Sequence, residues 1–159
     1  MNARTCLKAD HYDSFARSYS AANESNLFNA HYERPAMIDL AGDVDGRRVL
    51  DAGCGSGALT SALRAKGALV TGVDSSAVMV DLARRRLGAD ADVHVADISQ
   101  PLPFDDGAFD DVVVSLVLHY LRDWTAPLAE MRRVLVPGGR LLLSVNHHRI
   151  LESSDPSAD

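Results

Sequence analysis

Downstream of residue 47 the chain alternates short apolar runs with stretches whose apolar residues recur every three or four positions. The first run, Arg48 to Asp51, reads as a buried strand. After it, Leu59, Ala62, Leu63 and Ala65 line one face of a helix that Gly67 stops. A second strand spans Leu69 to Val73 and ends at Asp74. Ser75 or Ser76 caps the next helix, whose inner face is Val78, Met79, Leu82, Ala83 and Leu87 and whose stop is Gly88. A third strand runs from Val93 to Ala96, just before Asp97, and a proline-containing loop covers Gln100 to Gly107. Asp111 to Leu118 is a nearly continuous apolar run, which suits a strand buried on both faces. A helix starting at Thr125 or Ala126, with Pro127 near its first turn, runs to about Val134. Pro137-Gly138-Gly139 then turns the chain into a fifth strand, Arg140 to Val145.

Strands separated by helices of about ten residues imply right-handed βαβ units and a parallel sheet. Ligands of such sheets bind beyond the carboxyl ends of the strands. Asp51, Asp74 and Asp97 end the first three strands, so three carboxylates converge on that side. The segment Val49-Leu-Asp-Ala-Gly-Cys-Gly-Ser-Gly57 is a strand breaking into a glycine turn that opens a helix. Glycine admits positive φ and leaves bare backbone for a ligand, and the helix start offers unpaired N–H groups. A small ligand with polar, anionic parts is expected there.

Residues 1–47 follow another pattern. Tyr12, Phe15, Ala16 and Tyr19 lie at helical spacing, as do Met37, Ile38 and Leu40. This segment is expected to be a helical cap over the mouth of the sheet. Residues 48–148 then form the core, and 149–159, rich in Ser and Asp, a flexible tail of the same domain. A length of 159 residues with 47% hydrophobic and 24% charged content suits one globular domain. The net charge of −6 argues against non-specific nucleic-acid binding. Cys6 and Cys54 have no metal spacing, and a reducing cytoplasm is the expected setting. No apolar run approaches about 18 residues, so no membrane span is expected.

The glycine turn alone leaves two ligand classes open. Gly53, Gly55 and Ala58 satisfy the dinucleotide spacing G-x-G-x-x-G/A, and Asp74 follows at a suitable distance. The wider context resembles another family. Asp51-Ala-Gly53-Cys-Gly55-Ser-Gly57 looks like motif I of class I S-adenosylmethionine (SAM)-dependent methyltransferases. Gly72-Val-Asp74-Ser-Ser-Ala-Val-Met79, Ala96-Asp97-Ile98 with Pro101-Leu-Pro-Phe104, and Phe109-Asp-Asp-Val-Val-Val-Ser115 with Leu118-His-Tyr-Leu121 resemble their next three motifs. Val134-Leu-Val-Pro-Gly-Gly-Arg-Leu-Leu-Leu143 resembles the fifth. Tyr12-Asp-Ser-Phe-Ala-Arg-Ser-Tyr19 and Tyr32-Glu-Arg-Pro35 look like the N-terminal cap of the small-molecule branch that includes quinone-biosynthesis (UbiE-like) methyltransferases.

The resemblance implies a Rossmann-like sheet and SAM as cofactor, with S-adenosylhomocysteine as product. It implies that Asp51, Gly53, Gly55 and Gly57 flank the methionine part of SAM, with Tyr19 contributed by the cap and Ser75 by the second-strand motif. Asp74 would accept from the ribose hydroxyls, and Asp97 and Ile98 would hold adenine. Met79 would pack on the adenine face or simply fill the helix core. The Ser115 carbonyl would meet the ligand's amino group. His119 and His148 follow strands four and five, where either serves as a general base or as a plain lining residue. No metal is expected. A second reading is a SAM- or SAH-binding protein of the same fold without methyl transfer, such as a cyclase-like enzyme or a regulatory partner.

The family usually continues after strand five with a helix and a hairpin. Only 14 residues follow Val145, so the expected sheet has five strands in the order 3-2-1-4-5 and lacks the strand 6–7 hairpin. Strand five, Leu141-Leu-Leu-Ser-Val145, then becomes an apolar edge. The expectation is that the N-terminal segment, the tail, a second copy or a partner protein covers it.

Overall fold

The computed structural model describes residues 29–146. One five-stranded sheet contains β1 (Arg48–Ala52), β2 (Leu69–Asp74), β3 (Val93–Val95), β4 (Phe109–Ser115) and β5 (Leu135–Ser144). The order is β3-β2-β1-β4-β5, with every neighbouring pair parallel, as the sequence pattern requires. The helices are α1 (Arg34–Ala41), α2 (Ala58–Ala65), α3 (Ala77–Leu87) and α4 (Thr125–Val134). A π-helical turn, Asn29–Glu33, leads into α1, and a 3-10 turn, Leu118–Tyr120, follows β4. No helix among the described residues is long and apolar enough to cross a membrane.

Strand side chains alternate between two apolar layers. Val49 and Val113 join Met37 and Ala41 of α1 and Leu59 and Leu63 of α2 on one face. Leu50, Val112 and Val114 join Met131 and Val134 of α4 on the other. Both faces are covered, which is why β4 reads as unbroken hydrophobicity. Of the described residues of the expected cap, Met37, Ala41 and Val44 join the core. Met37 and Ala41 of α1 lie against the sheet face, and Glu33, the last residue of the preceding turn, reaches the strand ends. The aromatic stripe Tyr12–Tyr19, His148 and the tail lie outside the described residues.

Three strands, β3, β4 and β5, depart from the sequence reading. β3 stops at Val95, one residue short of Ala96. β4 begins two residues early, at Phe109, and ends at Ser115 instead of Leu118. Its end follows from Leu116, whose φ of 55° puts it in the left-handed region and turns the chain out of the ladder. β5 begins at Leu135 rather than Arg140. Phe109 faces Leu135 while Asp111 faces Arg140, so Pro137-Gly138-Gly139 bulges within the strand instead of preceding it.

The amino ends of the central strands are joined by charge. Arg47 donates to both oxygens of the buried Asp111 at 2.6 and 2.8 Å, and Arg140 does so at 2.7 and 2.8 Å. Arg48 holds Asp110 through its backbone N–H at 2.8 Å and its guanidinium at 2.9 Å. Burial opposes charge on Asp111, but hydrogen bonds from Arg140 and Arg47 outweigh it and hold the pKa at about 2.

The beneficial charge on Asp111 gives folding an acid dependence. A carboxylate with a depressed folded pKa stabilises above its unfolded value of about 3.9, and that contribution disappears as pH falls through about 2. Asp111→Asn leaves two arginines facing a neutral group and is expected to cost about 3 kcal/mol at neutral pH. Urea unfolding should show that loss, with a shallower decline between about pH 4 and 2 than in the parent. Equal slopes would remove Asp111 from the acid limb.

Candidate functional site

The glycine turn leaves the carboxyl end of β1 with an unusual backbone. Gly53, Gly55 and Gly57 have φ of 89°, 53° and 82°. Their free directions serve different ends. A Cβ on Gly53 would meet Val117 Cγ2 at 2.3 Å, and one on Gly57 would meet Leu87 and Ala83 of α3 at 3.1 and 3.2 Å. A Cβ on Gly55 would meet nothing within 4 Å. Gly53 and Gly57 therefore let protein parts close on one another, whereas Gly55 leaves its approach open to a ligand.

The turn is held from two sides. The Gly53 and Cys54 N–H groups both donate to the Val73 carbonyl, at 2.8 and 2.9 Å. Asp74, at the end of β2, accepts from Gly55 N–H through one oxygen and from Ser76 N–H through the other, each at 2.9 Å. The Asp74 carboxylate thus braces the loop that carries Gly55 and the start of α3 together. Ser76 is the cap of α3, accepting from Met79 N–H at 3.2 Å, while Ser75 stays exposed. Met79 is buried, at 3% exposure, on that helix. Ala96 N–H donates to the Asp74 carbonyl at 3.0 Å, which brings Asp97 beside the end of β2. Asp97 is exposed and accepts from Ser99 through both N–H and hydroxyl, and Ile98 next to it is buried.

Asp51 lies beneath the turn with no exposure. Thr60, in the first turn of α2, donates to its Oδ2 at 2.6 Å, and its Oδ1 has no partner. Burial pushes the Asp51 carboxyl up to about 7, opposed by the Thr60 hydrogen bond and reinforced by the nearby charges of Asp74 and Glu33. The sign of its linkage follows. Below about pH 4 folded and unfolded chains both hold this proton; between there and about 7 only the folded chain does, so Asp51 weakens folding as pH rises through that window. Cys54, in the turn itself, is buried, and desolvation raises its thiol pKa; it is a packed side chain and no thiolate nucleophile.

The exit of β4 closes the site. Ser115 Oγ donates to Glu33 Oε1 at 2.6 Å, and so does Ser144 Oγ from the end of β5. Val117 covers Gly53, and the His119 ring packs against Tyr120 with centroids 4.2 Å apart. Asp51, Asp74 and the three glycines are thereby drawn together, with Ser115 and His119 on the β4 exit and Asp97 and Ile98 beyond β3. Tyr19 and His148 lie outside the described residues. Among the described residues no group of three His, Cys, Asp or Glu side chains is placed to hold a metal.

Sequence reasoning missed Thr60, Val117, Glu33 and Ser144. Thr60 carried a signal, since the first turn of a helix following a glycine loop faces back toward the strand end. Glu33 carried none, because its partners stand 82 and 111 residues away.

The donor set suits SAM. The orphaned Asp51 Oδ1 is a buried acceptor that a ligand ammonium would satisfy. The open side of Gly55 allows a backbone approach, and the carboxylates of Asp74 and Asp97 suit hydroxyl and amino donors.

Known proteins agree. Residues 50–143 match the model of a methyltransferase domain. A demethylmenaquinone methyltransferase of Clavibacter sepedonicus is 36% identical over 135 residues, 83% of this chain and 55% of that enzyme. The chain thus spans about half the length of that relative. A SAM-dependent methyltransferase from Mesorhizobium loti superposes with a TM-score of 0.68 at 32% identity, covering 76% of this chain and 55% of the other. The [4+2]-cyclase SpnF superposes with a TM-score of 0.60 at 30% identity, covering 69% of this chain and 44% of the other. Motif order, sheet order and these likenesses converge, and the chain belongs to the class I SAM-dependent methyltransferases.

Proposed function

We propose that the protein transfers a methyl group from SAM to a small-molecule acceptor in the cytoplasm. The observation that carries this reading is the buried, half-satisfied Asp51 carboxylate beneath the open approach to Gly55. When bound, SAM supplies a methyl group already activated by its sulfonium, so the protein's main task is alignment and desolvation. Asp51 Oδ1 would accept from the ligand ammonium, and the turn N–H groups would face its carboxylate. Asp74 would accept from the ribose hydroxyls while bracing the loop, and Asp97 with the Ile98 N–H would read adenine. Met79, Ser75, Tyr19 and the Ser115 carbonyl complete the proposed contacts. His119 on the β4 exit would accept a proton from an acceptor hydroxyl or amine, a role shared with His148. The likeness to a demethylmenaquinone methyltransferase supports a small-molecule acceptor of the quinone type.

A second reading, SAM or SAH binding without methyl transfer, draws on the likeness to SpnF, a protein named for cyclisation. An assay of methyl incorporation into candidate acceptors separates the two. The open face of β5, with Leu141, Leu143 and Val145 all between 36% and 39% exposed, supports coverage by a second copy or a partner protein.

Three outcomes test this account. Asp74→Ala should weaken SAM binding by about 2 kcal/mol, roughly 30-fold, in calorimetric titration; unchanged affinity would mean the ribose lies elsewhere. At pH 6 binding of SAM should release close to one proton, because the ammonium ionises a group otherwise titrating at about 7. Calorimetry in buffers of different ionisation enthalpy reads that proton, and Asp51→Asn should abolish it. Light scattering at micromolar concentration should give a mass above the 17.1 kDa monomer; a monomer counts against coverage by a second copy.

A further inference from the structure

Leu116 is the only residue other than glycine with positive φ among the described residues, and it stands at the exit of β4. A branched side chain in that region is strained unless its surroundings enforce the conformation. Here they do. Leu116 N–H donates to both the carbonyl and the hydroxyl oxygen of Ser144, each at 3.1 Å. The Ser144 hydroxyl in turn donates to Glu33 Oε1, which also takes the Ser115 hydroxyl. One carboxylate oxygen thus ends a chain of bonds that begins at the strained residue. Both serine contacts are 2.6 Å, the length of charge-assisted O–H···O bonds. Such chains polarise and strengthen one another.

The residue after Leu116 is Val117, the side chain that closes over Gly53. Gly53 N–H and Cys54 N–H fix the turn to β2, and Asp74 fixes Gly55. The strained exit therefore sets how one wall of the glycine turn is packed. Glu33 belongs to neither the sheet nor the turn; it lies in the helical segment that leads into α1.

We propose that Glu33 is a positioning residue: it clamps Ser115 and Ser144, holds Leu116 in its strained conformation, and so places Val117 against the cofactor turn. The inference rests on reading that turn as the SAM site. Its consequence is coupling between the N-terminal segment and SAM affinity, without contact between Glu33 and the methyl group. Glu33 also adds negative charge near Asp51, alongside Asp74 from β2.

The test compares Glu33→Ala, Glu33→Gln and the double variant Ser115→Ala/Ser144→Ala. SAM affinity is read by calorimetry and exchange of the Leu116 amide by NMR. Glu33→Ala should weaken SAM binding about tenfold and lose protection at Leu116. Glu33→Gln keeps an oxygen acceptor for both serines and should restore most of the affinity and the protection. Adding Glu33→Ala to the serine double variant should cause little further loss, because both break one chain. If Glu33→Ala keeps wild-type affinity and Leu116 protection, or Glu33→Gln fails to rescue a folded protein, the clamp is overturned. Should the parent itself not bind SAM, the site reading fails, and the Leu116 exchange still decides the clamp.

Discussion

Asp51, one residue from the end of the central strand, has no exposure and accepts one side-chain hydrogen bond, from Thr60. Burying a carboxyl there is unfavourable unless it stays protonated or gains a cation. The surrounding elements follow from that condition. The glycines let the chain turn away directly above it, α2 begins close enough to supply Thr60, and Asp74 and Glu33 add charge rather than relief. A site that stores an unmet acceptor and two neighbouring acids is arranged for a cationic ligand.

The two ends of the sheet handle charge in opposite ways. At the amino ends, Asp110 and Asp111 are matched by Arg48, Arg47 and Arg140, so the carboxylates sit well below their ordinary range. At the carboxyl ends, Asp51 and Asp74 face backbone N–H and hydroxyl donors with no arginine among the contacts described. The first arrangement is spent on folding. The second leaves one oxygen of the buried Asp51 carboxyl without a partner.

Much of the fold was legible because both periodicities are strong. Apolar runs such as Val112-Val113-Val114 between helices leave little choice but a parallel sheet, and the positions of Asp51 and Asp74 at the carboxyl ends of β1 and β2 follow from the alternation, whereas Asp97 lies two residues beyond β3. The misread end of β4 and start of β5 share one cause. Leu116 is held by its hydrogen bond to Ser144 of β5, and Pro137-Gly138-Gly139 bulges where β5 shifts register against β4; local pattern carries no trace of either partner.

Residue type and spacing along short stretches settle the strand–helix alternation, the glycine turn and the acids that surround it. Which glycine faces open space, which Asp51 oxygen lacks a partner, and the bonds of Glu33 to two serines more than eighty residues away emerge only on packing. Those facts depend on distances between segments remote in the chain, and such distances exist only once the layers have packed.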